Sequence, residues 1–193
     1  MSVSESSSSP TQGKIRWRRF AIVAVPAVAL AGTLVGLTAE GALATSLSVS
    51  GNMFTITADQ LTGTGFAQFG GVLPNSSGGQ TPVLVSAMQN ASMTNLCQSV
   101  TVLGMTIRLT AGGNGTPVTA SNLVVDAQDQ TGSSAVFTNI KIGQDAGTLG
   151  GAPGTFGEQA DGVTINKLVQ DTWYTTAGTF TLPDLSLGFG AKC

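Results

Sequence analysis

Apolar and polar residues alternate with a period of two through most of the chain beyond residue 45, and the alternation predicts strands. Leu47 and Val49 alternate with Ser46, Ser48 and Ser50; Phe54, Ile56 and Ala58 alternate with Thr55 and Thr57. Met105, Ile107 and Leu109 alternate with Thr106, Arg108 and Thr110; Leu185, Leu187 and Phe189 alternate with Ser186, Gly188 and Gly190. Successive side chains of an extended chain point to opposite faces, so each run predicts a strand with one buried face. Thr and Val, which suit a pleated surface, fill these runs. Glycine-rich stretches at Gly63–Gly71, Pro74–Gly79, Gly112–Pro117 and Gly143–Gly157 predict breaks between strands. Helical periodicity is nearly absent. Its best candidate, Gly157–Asp171, holds Val163 and Ile165 at strand spacing.

The pattern repeats. Val118-Thr-Ala-Ser-Asn-Leu-Val-Val-Asp126 matches Val163-Thr-Ile-Asn-Lys-Leu-Val-Gln-Asp171 at a shift of 45, and Met93-Thr-Asn-Leu96 matches Phe137-Thr-Asn-Ile140 at a shift of 44. Phe180-Thr-Leu-Pro-Asp-Leu185 echoes the second motif. About two and a half units of roughly 45 residues follow. The expected fold is all-β: an antiparallel sandwich or barrel-like body, with a β-solenoid of short rungs as the alternative. Uneven strand spacing favours the former. The Asn before each apolar pair reads most simply as a turn residue, with ligand contact as the second reading.

The N-terminal part has a different pattern. Residues 1–13 are Ser-rich and read as a disordered cytoplasmic tail. Lys14, Arg16, Arg18 and Arg19 precede Phe20–Ala39, a run of twenty residues without charge. Ala42-Leu43-Ala44 then supplies small side chains at the spacing a signal peptidase accepts. Residues 14–44 therefore read as a secretory signal with Thr45 as the first mature residue. The run is also long enough to span a bilayer of about 30 Å as a helix, so a retained signal anchor is the alternative, weakened by Pro26, Gly32 and Gly36. Arg18-Arg19 hints at twin-arginine export, though its flanks fit poorly. No cysteine near the cleavage site suggests a lipoprotein. In both readings residues 45–193 form one exported domain.

That domain carries eight acids (Asp59, Asp126, Asp129, Asp145, Glu158, Asp161, Asp171, Asp184) and four bases (Arg108, Lys141, Lys167, Lys192), a net charge of −4. Sparse charge without a basic cluster excludes nucleic acid as a partner and argues against attraction to an anionic membrane surface. Thr, Ser, Asn, Gln and Gly must cover the surface, which suits weak contact with carbohydrate or cell wall. The two cysteines, Cys97 and Cys193, read as one disulfide in an oxidising compartment. Two free thiols, or a bridge between chains through Cys193, are the alternatives.

Chemistry is bounded by exclusion. The chain has no histidine, which removes Ser-His-Asp and Cys-His catalysis and nearly all zinc-enzyme ligand sets. It has no G-x-S-x-G elbow. Thr138/Lys141 and Thr164/Lys167 have the spacing of a Ser-x-x-Lys pair, but residues three apart on a strand face opposite ways. The acid pairs Asp126/Asp129 and Glu158/Asp161 are weak candidates for paired-carboxylate catalysis. With Asp145 they are weak candidates for calcium, lying in loops rich in oxygen donors but without a calcium-loop motif. Gly150–Gly157 lacks the Lys and the following helix of a phosphate loop. Trp173 and Tyr174 are either a sugar-stacking platform or one core and one edge aromatic. Phe66 and Phe69 either plug one end of the body or form an exposed apolar contact. No cofactor is implied.

The stretches FTITADQLTGTGFAQFG (54–70), TNLCQSV (94–100), TASNLVVDAQD (119–129), VFTNIKIGQDAGTL (136–149), GTFGEQAD (154–161) and TAGTFTLPDLSL (176–187) resemble a family of exported streptomycete proteins of unknown function, often labelled cholesterol esterase. The resemblance spans nearly the whole body, both cysteines included. It implies a possible partner in the cell envelope, such as a small multi-pass membrane protein. An esterase needs a charge relay that this chain cannot assemble without histidine. The expected role is therefore a non-catalytic envelope or surface protein, structural or binding; a lipid or sterol-ester hydrolase, or a lipid carrier, is the alternative.

Intact mass of the native protein should give a chain starting at Thr45 that is lighter by about two mass units than its reduced form. A species that keeps Phe20–Ala39 would instead identify an anchored protein.

Overall fold

The structure, a computed structural model, describes residues 51–74 and 78–193. The expected tail, apolar helix, cleavage site at Ala42, Ala44 and Thr45, and strand at 46–50 lie outside the described residues. Within them the chain is nearly all β. Ten strands run in order: β1 (Phe54–Pro74), β2 (Gln80–Thr94), β3 (Leu96–Val102), β4 (Met105–Ala111), β5 (Val118–Thr131), β6 (Ser134–Thr138), β7 (Lys141–Asp145), β8 (Phe156–Thr176), β9 (Thr179–Thr181) and β10 (Ser186–Phe189). A short 3-10 turn, Ala146–Thr148, follows β7. All pairings between these strands are antiparallel. The body is thus barrel-like and not the solenoid alternative, whose rungs would stack in parallel. The stretch 157–171 lies wholly within β8, as Val163 and Ile165 suggest.

The four longest strands close a ring. β1 pairs with β2 on one edge and β8 on the other, β2 pairs with β5, and β5 pairs with β8. The ring is strongly staggered. Phe69 leads across β2 and β5, through Val85 and Asp126, to Tyr174. Directly across the other edge, Phe69 meets Gly157, seventeen positions away on the same β8. A large stagger for so few strands makes them cross the body steeply. It lets strands of 21 residues wrap a narrow core. That core is filled by Leu61, Phe66, Met88, Val118, Leu123, Ile165 and Leu168, the inward set of the period-two pattern.

Left-handed residues bend the strands where straight ones would leave the core. Asn122 in β5 (φ 48°) and Lys167 in β8 (φ 50°) occupy the same position of the 45-residue repeat. Asn95, between β2 and β3, Asn139, between β6 and β7, and Asp184, before β10, form a second such set with φ of 51°, 53° and 53°. Asn and Asp tolerate this conformation because their short polar side chains bond locally. Asn95 donates to Asp59 (2.6 Å) and Asn139 to Asp161 (2.7 Å). The Asn of the second repeated motif is therefore a bend residue, and it divides two strands.

The repeat also governs pairing. β6 lies on β8 with Ser134 opposite Asn166, and β9 lies on β5 with Thr179 opposite Ser121. These two pairs are equivalent at a shift of 45, so the two repeats exchange their short arms. The exchange is reinforced by Ser133 N–H to Asn166 C=O (2.8 Å) and its counterpart Gly178 N–H to Ser121 C=O (2.7 Å).

Two expectations from the alternation fail. Gly63–Gly71 is no break, because it runs inside β1, paired with β2 and, as far as Phe69, with β8. Glycine there serves close approach: a Cβ on Gly63 would come within 2.5 Å of the Met88 sulfur. The apolar faces of β4 and β10 are also not buried. Met105, Ile107, Leu187 and Phe189 are exposed, since among the described residues no second layer covers the hairpin beyond the ring. Leu103 and Gly104, both at positive φ, form the two-residue turn of that hairpin. Such a turn favours Asn-Gly, and a Leu at its first position is unusual.

Cys97 and Cys193 form a disulfide across 96 residues. It holds the C-terminus beside β3, where the Cys193 N–H also bonds Ser99 Oγ (3.1 Å). Removing the bridge by Cys97→Ala/Cys193→Ala should lower unfolding stability by about 4–5 kcal/mol, as expected for a loop of that length. Leu168→Ala, at the fully buried centre of β8, should cost about 2–5 kcal/mol. Urea melts of the three proteins check both values.

Candidate functional site

The outward residues of the ring form ordered rows because antiparallel register sets neighbours side by side. One row runs Thr181, Thr119, Ser92, Thr62, Thr164 and Val136 across β9, β5, β2, β1, β8 and β6. The next runs Thr179, Ser121, Asn90, Thr64, Gly162 and Thr138 across the same strands. Strand geometry spaces such groups at about 4.8 Å across the sheet and about 6.6 Å along it. The middle of these rows lines a groove of about 450 Å³. Thr62, Thr64, Asn90, Ser92, Thr119 and Thr164 supply its polar walls, and no charged or aromatic side chain lines it. At the margins the hydroxyls satisfy each other: Ser121 and Thr179 share a 2.7 Å bond, and Asn90 donates to Thr64 (3.4 Å). Among the described residues, the hydroxyls of Thr62, Ser92, Thr119 and Thr164 bond no other side chain. A set of free donor-acceptor groups without charge fits a neutral, hydroxyl-bearing ligand.

Asp59, Lys167 and Asp145 are spent on structure. Lys167 Nζ lies 2.7 Å from Asp59 Oδ1, and Asn95 holds the other oxygen. The hydrogen bond from Lys167, and then that from Asn95, hold the Asp59 carboxyl below its ordinary range. Lys167 is thereby turned away from Thr164. Asp145 caps the loop after β7: its Oδ1 accepts from the N–H groups of Gly147 (2.8 Å) and Gly154 (2.9 Å), which lower its carboxyl. The glycine-rich stretch 150–157 belongs to this capped loop.

The calcium candidates do not gather. Asp126 and Asp129 lie on β5 near the C-terminal end of β8, whereas Glu158 and Asp161 lie near its start. Among the described residues no three acid, Cys or His side chains form a metal-binding group. Asp161 is taken by Asn139. Trp173 and Tyr174 are half-buried neighbours at an irregularity in the β5–β8 pairing, and neither lines the groove. Phe66 is in the core, with its ring 5.5 Å from that of Phe137. Phe69 is buried below an apolar surface recess of about 740 Å³ that Val72, Pro82, Val83 and Phe156 also line.

The matched pattern covers these elements. Residues 50–193 fit the description "Family of unknown function (DUF6230)". The chain belongs to that family. Searches of curated proteins and of solved structures find no match. Family membership brings no assigned chemistry to the groove, so its reading rests on its side chains.

The groove is not legible in the sequence, because lateral rows depend on register between strands far apart in the chain. The Thr-x-Thr and Thr-x-Ser spacings at 62–64, 119–121 and 179–181 were the available signal.

One acid is out of place. Asp126 is 8 % exposed, and burial pushes its carboxyl above the ordinary value of 3.8. Its repeat counterpart Asp171 accepts from the Thr55 hydroxyl (2.8 Å), whereas Val85 stands opposite Asp126 at the equivalent position. At low pH both folded and unfolded chains hold this proton, and Asp126 costs nothing. As pH rises past the ordinary value, the unfolded chain releases it first, so stability falls. Asp126→Asn should therefore raise the urea midpoint at about pH 7 and leave it unchanged at about pH 3.

Proposed function

We propose that this is a non-catalytic protein of the cell exterior that binds neutral, polyhydroxylated polymers such as envelope glycans through the groove across β1, β2, β5 and β8. The observation that carries the reading is the pair of hydroxyl rows lining a groove without charge. A glycan strand offers hydroxyls at comparable spacing, and each exchange of water for a protein partner contributes modestly, about 0.5–1.5 kcal/mol. Affinity then grows with the number of rungs engaged. The signal-like segment 14–44 and the Cys97–Cys193 bridge support a location outside the cytoplasm. The esterase alternative has no histidine for a charge relay, and the Lys of its Thr164/Lys167 spacing is paired with Asp59. The carrier alternative has the recess at Phe69 in its favour, but the ring interior is filled by side chains.

Purified oxidised protein should co-sediment with insoluble glycan, for example isolated cell-wall polysaccharide, and Thr62→Val/Thr164→Val should weaken retention by about tenfold. No retention on any polysaccharide would overturn the proposal. Ester turnover abolished by a serine-reactive phosphonate would replace it with the hydrolase reading.

A further inference from the structure

The Cys97–Cys193 bridge joins two unlike halves. Cys97 lies inside β3, with Thr57 of β1 opposite on one edge and Thr110 of β4 on the other. Cys193 belongs to a stretch, residues 190–193, that forms no strand. Beside the bridge, two hydrogen bonds hold that stretch: the Gly190 N–H on the Thr106 carbonyl (3.1 Å) and the Cys193 N–H on Ser99 Oγ (3.1 Å). Both cysteines are half-buried rather than enclosed, and accessible bridges are the ones open to exchange with thiols.

Arg108 makes the two sulfurs chemically unequal. It stands on β4 opposite Ser99, next to the Cys97–Thr110 pair on the same face, and its Nε donates to Cys97 Sγ at 3.3 Å. Among the described residues Arg108 has no carboxylate partner, and no side chain donates to Cys193 Sγ. A bridge sulfur is a weak acceptor, whereas a thiolate is a charged and strong one. Arg108 therefore holds Cys97 more tightly after the S–S bond has broken than before. A contact that strengthens along a reaction lowers its barrier. A cation beside a thiol also lowers its pKa, which makes the sulfur a better leaving group.

We propose that this bridge is a polarised exchange site for a dithiol reductant, such as the paired thiols of a thiol-disulfide oxidoreductase. One thiolate of the dithiol attacks Cys193 Sγ. The S–S bond breaks, and its electron pair leaves on Cys97 as a thiolate beside Arg108. The second thiol of the dithiol loses its proton to solvent and attacks the reductant's own sulfur in the mixed disulfide, which releases the Cys193 thiolate. Two electrons have then passed from the dithiol, now a disulfide, to the bridge. Cys97 stays fixed in β3, residues 190–193 come free, and β10, four residues long, loses the tie beyond its end. The groove lies on other strands, so the exchange is separate from glycan binding.

The test starts from the oxidised protein at about pH 7. Brief treatment with 2-mercaptoethanol, quenching with N-ethylmaleimide and peptide mass mapping should place the mercaptoethanol on Cys193 and the maleimide on Cys97. With dithiothreitol as reductant, Arg108→Gln should slow bridge opening by about threefold, and Arg108→Lys should restore the rate. Arg108 is exposed, so both variants keep the fold. A merely structural Arg108 would loosen the bridge when lost and speed its opening. Hydrogen exchange at Ser186–Phe189 should rise once the bridge is open, while that of the paired centre of β1 stays unchanged. Mercaptoethanol on Cys97, or shared equally between the two cysteines, overturns the proposal. Opening of Arg108→Gln at the parent rate or faster overturns it as well, and unchanged exchange in β10 overturns the release of that strand.

Discussion

Closure of β1 against β8 is the constraint on which the other features depend. Without that pairing, β1 and β8 would each present a long bare edge, and the inward residues from the four strands would face water on one side. With it, edges vanish over most of the body and a core only a few side chains wide is enclosed. The steep stagger follows, because four strands can enclose close-packed side chains only by crossing the axis at a high angle. The left-handed residues follow in turn: a long strand that must wrap needs points where it bends, and Asn122 in β5 and Lys167 in β8 supply them. The disulfide acts outside the ring and ties the hairpin and C-terminus to its end.

The exposed surface divides into two chemistries for the same reason. Where the ring strands line the groove, their outer residues are Thr, Ser and Asn in register, and the wall is polar and uncharged. Where strands leave the ring, the face that was inward continues without a partner, and the wall is apolar. One alternation pattern, read along β3 and β4, thus yields core at one end and bare aliphatic surface at the other. Beside the groove, Lys167 is held by Asp59, and on the hairpin Arg108 donates to Cys97 Sγ.

Much of the fold was legible in the chain. The period of two gave the strands, and the near-repeat at 118–126 and 163–171 corresponds to β5 and β8 in equivalent registers. The even pair of cysteines gave the bridge. The misreadings have one physical origin: composition reports local preference, whereas pairing is long-range. Gly63–Gly71 looks like a loop by composition, yet two hydrogen-bonded neighbours override the weak preference of glycine. Leu187 and Phe189 look buried by alternation, yet burial needs a covering layer, and alternation along one strand cannot report whether one exists. The groove was hidden for the same reason, as Thr62 meets Ser92 and Thr164 only through pairings that span 30 and 102 residues.

The ring has a consequence for biogenesis. β1 meets β2 as soon as a short hairpin can close, but Phe54 waits for Thr172, 118 residues later. At a synthesis rate of about 5–20 residues per second, that interval is on the order of 6–24 s. During it the nascent chain shows a long, flat, glycine-bearing edge with almost no charged gatekeepers. Such an edge is a template for neighbouring copies. A chain built in this way gains from being held unfolded until it is complete, so its topology itself creates a need for a holding factor that the finished structure no longer displays.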